Sequence, residues 1–294
     1  MYIDPFLTYL AHEKRYSKHT LVAYETDLLQ FQDFMVLTYE LDLAGVKYMH
    51  VRDYIAHLMN TEVGANSIGR KLSTLRSFYK HLCQRQVLDS NPLRLIKAPK
   101  VPKRLPVFVD SEKMDTLLDS AEIFDNSFAS MRDRLIMETL FGTGIRLSEL
   151  IGLKEADVDQ YGNTIKVLGK GNKERIIPMT KPMADQLPAY LLEKSKQAFS
   201  KSTDALIVTD RGARLSPPFV YKTVKGYLSK VSTQEKLSPH VLRHSYATSL
   251  LNRGADLNAI KELLGHASLA ATQVYTHNSI EELKAIYNQA HPKA

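Results

Sequence analysis

The chain has 294 residues, which is long enough for two domains of ordinary size. Hydrophobic residues make up 44% of it, enough to build packed cores, and this argues against global disorder. Lysine and arginine outnumber aspartate and glutamate by 39 to 32, and the resulting net charge of +7 favours a polyanionic partner. A single cysteine, Cys83, excludes an intramolecular disulfide and fits a reducing compartment.

No targeting or membrane segment is evident in the sequence. The N-terminal residues include Asp4, Glu13, Lys14 and Arg15 and lack a basic region followed by an apolar run, which argues against a signal peptide. No stretch approaches the roughly 18–20 apolar residues of a membrane span. We therefore expect a soluble, cytoplasmic protein with no membrane partner.

Residues 1–98 have the apolar periodicity of helices. Ser17 is predicted to begin a long helix, and a shorter helix is predicted from Val51 to Met59. Asn66 is predicted to cap a third helix. Cys83 lies at a core spacing in this helix, so we interpret it as a buried apolar residue.

Four prolines, Pro92, Pro99, Pro102 and Pro106, interrupt the helical pattern. We therefore predict three segments along the chain. They are a helical domain over residues 1–98, an extended linker over 99–108 and a second domain over 109–294.

The third helix and the linker are strongly basic, because Asp89 is the one acidic residue between Asn66 and Arg104. One-sided charge of this kind is typical of a surface that contacts nucleic-acid phosphates, although a solvated helix face has the same pattern. The residues predicted to contact DNA are Arg70, Lys71, Arg76, Lys80, Lys100, Lys103 and Arg104.

The second domain is predicted to be mostly helical with one hairpin. Helices are predicted to begin at Ser111 and Ser148, and another is predicted to end at Gly142 and Gly144. Two short β-rich runs flank the turn Gly-Lys-Gly-Asn, which predicts a β-hairpin. The predicted fold class is therefore mostly α with a small antiparallel β-sheet.

Two cationic side chains lie at turns where an anion can bind. Arg146 follows Gly-Thr-Gly and precedes a predicted helix, whose free N–H groups also attract anions. Glu149, one turn further on, is a candidate for orienting a catalytic side chain. Lys170 lies between two glycines at the hairpin tip, where it can protonate a leaving oxygen, and Lys173 is a second candidate there. A surface or capping role is the alternative for each residue.

His240 and Arg243 are three residues apart and share one face of a helix that Ser238 and Pro239 are predicted to begin. His240 and His244 have a spacing that zinc sites use, but the arginine between them disfavours a dication. We predict no metal at this segment.

A third group of candidates lies near the C-terminus. Gly265 is predicted to end a helix in the left-handed conformation, which places His266 on a rigid corner. Ser268 is predicted to cap the next helix, which carries Tyr275. Taken alone, a tyrosine on a helix is usually a core or surface residue.

Together these side chains are the types that cleavage of a phosphodiester requires. Attack by the Tyr275 phenolate adds negative charge to the phosphate oxygens, which two arginines and a histidine can stabilise, while Lys170 protonates the departing oxygen. A free tyrosine has a pKa near ~10, and neighbouring cations lower it. This chemistry needs neither a metal nor a cofactor.

At this point the sequence resembles the tyrosine recombinase (phage integrase) family, most closely its Xer branch, over nearly its full length. The motifs of the family match in order and spacing: Arg146 in GTGIRLSEL, supporting Glu149, Lys170 in LGKGNKER, His240 and Arg243 in H-x-x-R, His266 in LLGH and Tyr275 nine residues later.

The resemblance implies a core-binding domain, a mixed α/β catalytic domain and a 3′-phosphotyrosine intermediate on a double-stranded recombination site. It implies four protomers, of this chain alone or with a paralogue, that exchange strands on two DNA sites through a Holliday junction. The C-terminal helix, with Leu283, Ile286 and Tyr287 as its apolar stripe, is implied to dock on a neighbouring protomer; packing on its own domain is the alternative.

The Xer branch implies a role in chromosome dimer resolution and segregation, often under a septal DNA translocase. An integrase or resolvase of a mobile element is one alternative, and a type IB topoisomerase-like nicking enzyme is another. A non-catalytic DNA-binding protein and a metal-dependent nuclease are the remaining alternatives.

Overall fold

In the computed structural model, the described residues are 2–101, 108–169, 173–199, 203–234, 236–265 and 287. Their contacts divide the chain into two compact units, Met1–Arg104 and Leu105–Ala294. Each unit has its own hydrophobic core. Over the ranges described, no helix combines the length and the apolar character needed to cross a bilayer.

The regular elements of the first unit, over the residues described, are helices. Ser17 begins the second helix, as predicted, and its side chain accepts a hydrogen bond from the Thr20 N–H. The prediction that Asn66 caps a helix is wrong, because the extended backbone of Gly64 already ends the preceding turn and Asn66 lies inside the helix. The helices are α1 (Ile3–His12), α2 (Lys18–Tyr39), α3 (Tyr48–Asn60) and α4 (Ala65–Gln84).

Aromatic side chains fill the core of this unit. Phe6 of α1 meets Phe78 of α4 edge to face with ring centroids 5.3 Å apart, and Phe31 of α2 meets Tyr54 of α3 at 4.9 Å. Burial of each such ring stabilises the unit by about 1.5–3 kcal/mol, so these rings hold the four helices together. Cys83 is only half-buried, which corrects the expectation that it is a buried residue.

The second unit combines helices with one small sheet, which confirms the predicted fold class. Its elements are α5 (Ser111–Leu118), α6 (Phe128–Thr143), α7 (Leu147–Gly152), β1 (Val158–Asp159), β2 (Thr164–Leu168), β3 (Glu174–Pro178), α8 (Lys181–Lys196), α9 (Pro217–Leu228), α10 (Pro239–Asn252) and α11 (Leu257–Leu264), with a 3₁₀ turn at Glu155–Asp157.

The sheet is antiparallel with the order β1-β2-β3. The β2–β3 pair is the predicted hairpin: Leu168 pairs with Glu174, and the Gly169 N–H donates to the Lys173 carbonyl at 2.8 Å. The strand β1 was not predicted, because two residues are too few for a period-two pattern to appear.

The predicted start of α5 at Ser111 is confirmed, and the predicted start of α7 at Ser148 is corrected by one position. Asp110 caps α5 by accepting a hydrogen bond from the Glu112 N–H. The helix α7 begins at Leu147, with Arg146 at its N-cap. Helix ends expected from local sequence commonly differ by a residue or two from those in the folded chain.

The helix α6 is deeply buried, because every residue from Leu135 to Thr143 is buried. It ends at Gly144, which has φ +61°, a left-handed conformation that glycine adopts without strain. The buried helix α6 and the turn at Gly144 therefore hold Arg146 in one defined position.

Tyr287 packs into the core of its own unit. Its side chain is fully buried, and its hydroxyl donates to the Gly142 carbonyl at 2.8 Å. This contradicts, for Tyr287, the expectation that it docks on a neighbouring protomer and supports the alternative of packing on its own domain. Leu283 and Ile286 lie outside the described residues.

Candidate functional site

Arg146 and Glu149 form the first pair of the site. Because Arg146 is the N-cap of α7, Glu149 reaches back to it from the first turn. The Glu149 Oε2 atom accepts from the Arg146 backbone N–H at 2.7 Å, and Oε1 accepts from Arg146 Nη1 at 2.8 Å. The backbone and the guanidinium of Arg146 are thus held by one carboxylate.

Arg175 of β3 is a buried arginine that the sequence analysis did not select. Its Nη1 and Nη2 atoms donate to the two oxygens of Glu149 at 2.9 and 2.8 Å, and its Nε donates to the Leu263 carbonyl at 3.0 Å. One signal was present in the sequence: Arg175 and Ile177 are two apart and so share the inward face of the strand. A charged residue on a buried strand face needs a buried partner.

Arg243 reaches the same place from α10. Its Nη1 donates to the Gly144 carbonyl at 2.5 Å and its Nη2 to the Leu264 carbonyl at 2.6 Å, while Arg146 Nη2 donates to the adjacent Gly265 carbonyl at 3.1 Å. These carbonyls lie at the C-terminal ends of α6 and α11, where unpaired carbonyl groups attract cations. The structure therefore brings together Arg146, Glu149 and Arg243, three of the residues that the sequence analysis selected.

The electrostatics of this cluster favour an anion. Burial raises the pKa of Glu149, but the hydrogen bonds from Arg175 and Arg146 outweigh it and lower the pKa to about 2, so the carboxylate is ionised at neutral pH. Burial and the neighbouring Arg146 lower the pKa of Arg243 to about 10, which still leaves it protonated. Two guanidinium groups, those of Arg146 and Arg175, thus bind one carboxylate, and Arg243 adds a third positive charge nearby. This excess positive charge suits a phosphate.

The remaining predicted residues divide into two groups. His240 is exposed on the first turn of α10, one turn before Arg243 on the same face, and Ser238 and Pro239 begin that helix as predicted. His244 is also exposed. Lys170, His266 and Tyr275 lie outside the described residues.

A second tyrosine lies near the arginines but is unsuited to attack. Tyr246 follows Arg243 by one turn on α10, and its ring packs under Gly144, where an added Cβ would lie 2.4 Å from the ring. Its side chain is fully buried, and burial raises the pKa of its hydroxyl above its ordinary value. Tyr246 therefore serves as core, not as a nucleophile.

The basic helix α4 does not present all of its cations to solvent. Lys71 is buried, and its ammonium contacts Asp27 at 3.1 Å and the side-chain oxygen of Gln30. Its predicted contact with DNA is therefore corrected: Lys71 pairs inside the unit. Arg70 also pairs with Asp27 but is half exposed.

The other predicted DNA contacts have different surroundings. Arg76 Nη2 donates to the Ile96 carbonyl at 2.6 Å. Lys80 and Lys100 are exposed, and Lys103 and Arg104 lie outside the described residues.

Two family models match most of the chain. The phage integrase family matches residues 108–282, and the phage integrase N-terminal SAM-like domain matches residues 3–86. The chain belongs to the phage integrase family. It is a tyrosine recombinase, an enzyme of DNA strand transfer, and it shares full-length similarity with curated members.

Two such relatives are named tyrosine recombinase XerC. The protein of Chlorobaculum parvum is 38% identical over 100% of this chain and 95% of the relative. The protein of Listeria innocua is 40% identical over 98% of this chain and 97% of the relative. These values support site-specific recombination as the activity of this tyrosine recombinase.

Solved structures share the fold. The XerA recombinase is 29% identical, with a TM-score of 0.50 over 100% of this chain and 99% of that chain. The XerH recombinase bound to its palindromic difH substrate is 23% identical, with a TM-score of 0.72 over 90% of this chain and 78% of that chain.

Proposed function

We propose that this recombinase cuts DNA through a covalent tyrosine intermediate formed by Tyr275. The phenolate oxygen attacks the scissile phosphorus, the bond from phosphorus to the 5′ oxygen breaks, and a 3′-phosphotyrosine and a free 5′-hydroxyl result. The supporting observation is the cluster of Arg146, Arg175 and Arg243 around Glu149, a preorganised site for a phosphate group.

Each site residue has a separate role in the proposed reaction. Arg146 and Arg243 bind the phosphate oxygens with the N–H groups that contact neither carbonyls nor Glu149, since each guanidinium has five donors. His240 and His266 donate further hydrogen bonds, and Lys170 protonates the 5′ oxygen. Glu149 supports the reaction because it holds the Arg146 guanidinium in place.

The substrate in this proposal is a double-stranded recombination site. Residues 1–98 form the domain that binds the core of the recombination site. Residues 99–108 link the two domains, and residues 109–294 form the catalytic domain. Arg70, Arg76, Lys80, Lys100, Lys103 and Arg104 contact the phosphates. Two protomers bind each site, and four protomers, of this chain alone or with a paralogous recombinase, exchange strands through a Holliday junction.

We assign this activity to chromosome dimer resolution and segregation, with a septal DNA translocase as a regulator. Support comes from the relatives named XerC at 37–40% identity over nearly the whole chain. The similarity to the Tn1549 transposon integrase, at 18% identity, concerns the fold and does not favour a mobile-element role.

The test uses a nicked duplex that carries the host's candidate dimer-resolution site and traps the covalent intermediate. Wild type, Tyr275→Phe and Tyr246→Phe are incubated with it in EDTA, and a denaturing gel reports protein–DNA adducts. We expect adducts with wild type and Tyr246→Phe and none with Tyr275→Phe.

Three results would contradict the proposal. An adduct with Tyr275→Phe would move the nucleophile elsewhere, and strand cleavage without an adduct, abolished by EDTA, would indicate a metal-dependent nuclease. Specific binding in a gel shift without an adduct, even after the paralogue is added, would indicate a non-catalytic binder.

A further inference from the structure

Arg175 connects three elements of the second unit. It lies on β3, its fork binds both oxygens of Glu149 on α7, and its Nε binds the Leu263 carbonyl near the end of α11. Its side chain is 5% exposed and that of Glu149 3% exposed, so both ends of the pair are withdrawn from solvent. Buried pairs of this geometry hold their elements rigidly because neither partner has an alternative in water.

Two glycines rest against the same guanidinium. A Cβ placed on Gly169, at the end of the hairpin, would lie 3.3 Å from Arg175 Nη1. A Cβ placed on Gly265, at the end of α11, would lie 3.1 Å from the same atom. The absence of side chains at these positions lets the backbone approach the guanidinium closely.

The position of Gly169 in the sequence gives this contact a consequence. Gly169 directly precedes Lys170, the residue that protonates the leaving oxygen in the proposed reaction. We propose that Arg175 is a positioning residue for this step: it fixes the hairpin end that precedes Lys170 against Glu149 and the end of α11. This inference rests on the proposed function, because it names what places the general acid of that reaction.

Arg175 acts at one stage of catalysis, the departure of the 5′ oxygen. As the bond between the Tyr275 oxygen and phosphorus forms, the bond to the 5′ oxygen breaks, and that oxygen takes a proton from the Lys170 ammonium. If the hairpin end shifts, the proton is delivered less efficiently while phosphate binding by Arg146 and Arg243 continues. A leaving group that departs without a proton should therefore compensate for the loss of Arg175.

The experiment compares two nicked duplexes that differ in one atom. The first has the ordinary bridging 5′ oxygen, and in the second sulfur replaces that oxygen. A thiolate is a much weaker base than an alkoxide, so it leaves without a general acid. The rate of adduct formation, normalised to the folded fraction from circular dichroism, is measured for each variant on both duplexes.

The central variant is Arg175→Lys, which keeps a positive charge beside Glu149 but lacks the fork. We expect its adduct formation on the oxygen duplex to fall by about 10-fold to 100-fold, a part of the about 10²–10⁴-fold that a placed general acid contributes. On the sulfur duplex we expect a rate within about threefold of wild type. Lys170→Ala is the reference for full dependence on the leaving group.

Two further variants separate positioning from folding. Gly169→Ala adds one methyl group against Arg175 at the hairpin end, outside the core, and should show the same selective loss on the oxygen duplex. Arg132→Gln removes another buried, ion-paired arginine, whose partners Asp133 and Asp210 are not site residues. It should lower stability and leave the ratio of the two rates unchanged.

The outcomes for the two proposals are distinguishable. Equal losses on both duplexes for Arg175→Lys, or for Gly169→Ala if Arg175→Lys does not fold, would overturn the positioning role while wild-type adducts still support the proposed function. Failure of wild type to form an adduct on either duplex would overturn the proposed function, and the positioning role with it.

Discussion

Glu149 is the residue on which the geometry of the site depends most. One buried carboxylate accepts hydrogen bonds from the backbone and side chain of Arg146 and from both terminal nitrogens of Arg175. Removal of one partner from such a buried set leaves the others with uncompensated charge, which typically costs about 3–5 kcal/mol. A substitution at Glu149 should therefore affect folding as well as catalysis.

The pH dependence of stability tests whether the ionised Glu149 carboxylate stabilises the fold. The pKa of Glu149 is lowered from 4.5 to about 2 in the folded protein, so its ionised form stabilises the fold above pH 4.5 and this contribution is lost as the pH falls toward 2. We expect urea unfolding to show Glu149→Gln less stable than wild type at pH 7, with a difference that narrows between pH 4.5 and 3. A difference that stays constant over this range would contradict the assignment.

Gly144 is a second residue on which the geometry of the site depends, because its backbone conformation and its close contacts leave no room for a side chain. Its φ is +61°, a Cβ would lie 2.4 Å from the Tyr246 ring, and its carbonyl accepts from Arg243. We expect Gly144→Ala to lower the free energy of unfolding by more than about 1 kcal/mol and to slow adduct formation, because the strain displaces that carbonyl. Chemical denaturation and the adduct assay measure the two effects.

Gly226→Ala is the matched control for Gly144→Ala. Gly226 lies inside α9, and an added Cβ there would meet no atom within 4 Å. It should raise stability by about 0.4–1 kcal/mol, because alanine has less backbone freedom to lose on folding. Equal effects of the two substitutions would contradict this interpretation of Gly144.

At the scale of elements, α4 combines two kinds of cation. On one face of the helix, Arg70, Lys71 and Thr74 all donate hydrogen bonds to Asp27 of α2. The Asp27 side chain is fully buried. Lys80, further along α4, points to solvent. The sequence shows both as basic residues on a helix, and only the packing of α2 against α4 distinguishes them.

This distinction predicts different salt dependences of DNA binding. Each phosphate contact that is lost reduces the slope of log K against log salt by about 1 for duplex DNA. We expect Lys80→Gln to reduce the slope by about that amount and Lys71→Met to leave it unchanged, as measured by fluorescence anisotropy over a salt series. A reduced slope for Lys71→Met would restore Lys71 as a DNA contact.

At the scale of the whole molecule, two separate cores stabilise the chain, and a residue close to its C-terminus belongs to one of them. Tyr287 is buried in the core of the second unit and bonded to Gly142 of α6, close to the turn that positions Arg146. A change near the C-terminus can therefore reach the site through the end of α6.

We expect Tyr287→Ala to lower the free energy of unfolding by about 3–5 kcal/mol in the absence of DNA, because it removes a fully buried ring. Tyr287→Phe should lower it by about 0.5–1.5 kcal/mol through loss of one hydrogen bond. Both values should be independent of protein concentration. A loss of stability that depends on concentration would instead place Tyr287 in a contact between protomers.

The sequence by itself predicted the fold class, most of the helices and the hairpin. It also selected Arg146, Glu149 and Arg243, which lie close together in the structure, while their roles and that of His240 stay predictions. These depend on local chemistry: apolar periodicity, turn residues and motifs with constant spacing. It misjudged Asn66 and Ser148 as helix starts, because neighbouring residues compete for a cap and the surrounding packing decides between them.

Only the tertiary structure distinguished the buried Arg175 and Lys71 from other basic residues. Both are paired with carboxylates distant in sequence, Arg175 with Glu149 and Lys71 with Asp27. The own-unit packing of Tyr287 was decided in the same way. The energy of a buried charge or ring depends on the groups that surround it, and in this protein those groups come from other elements of the chain.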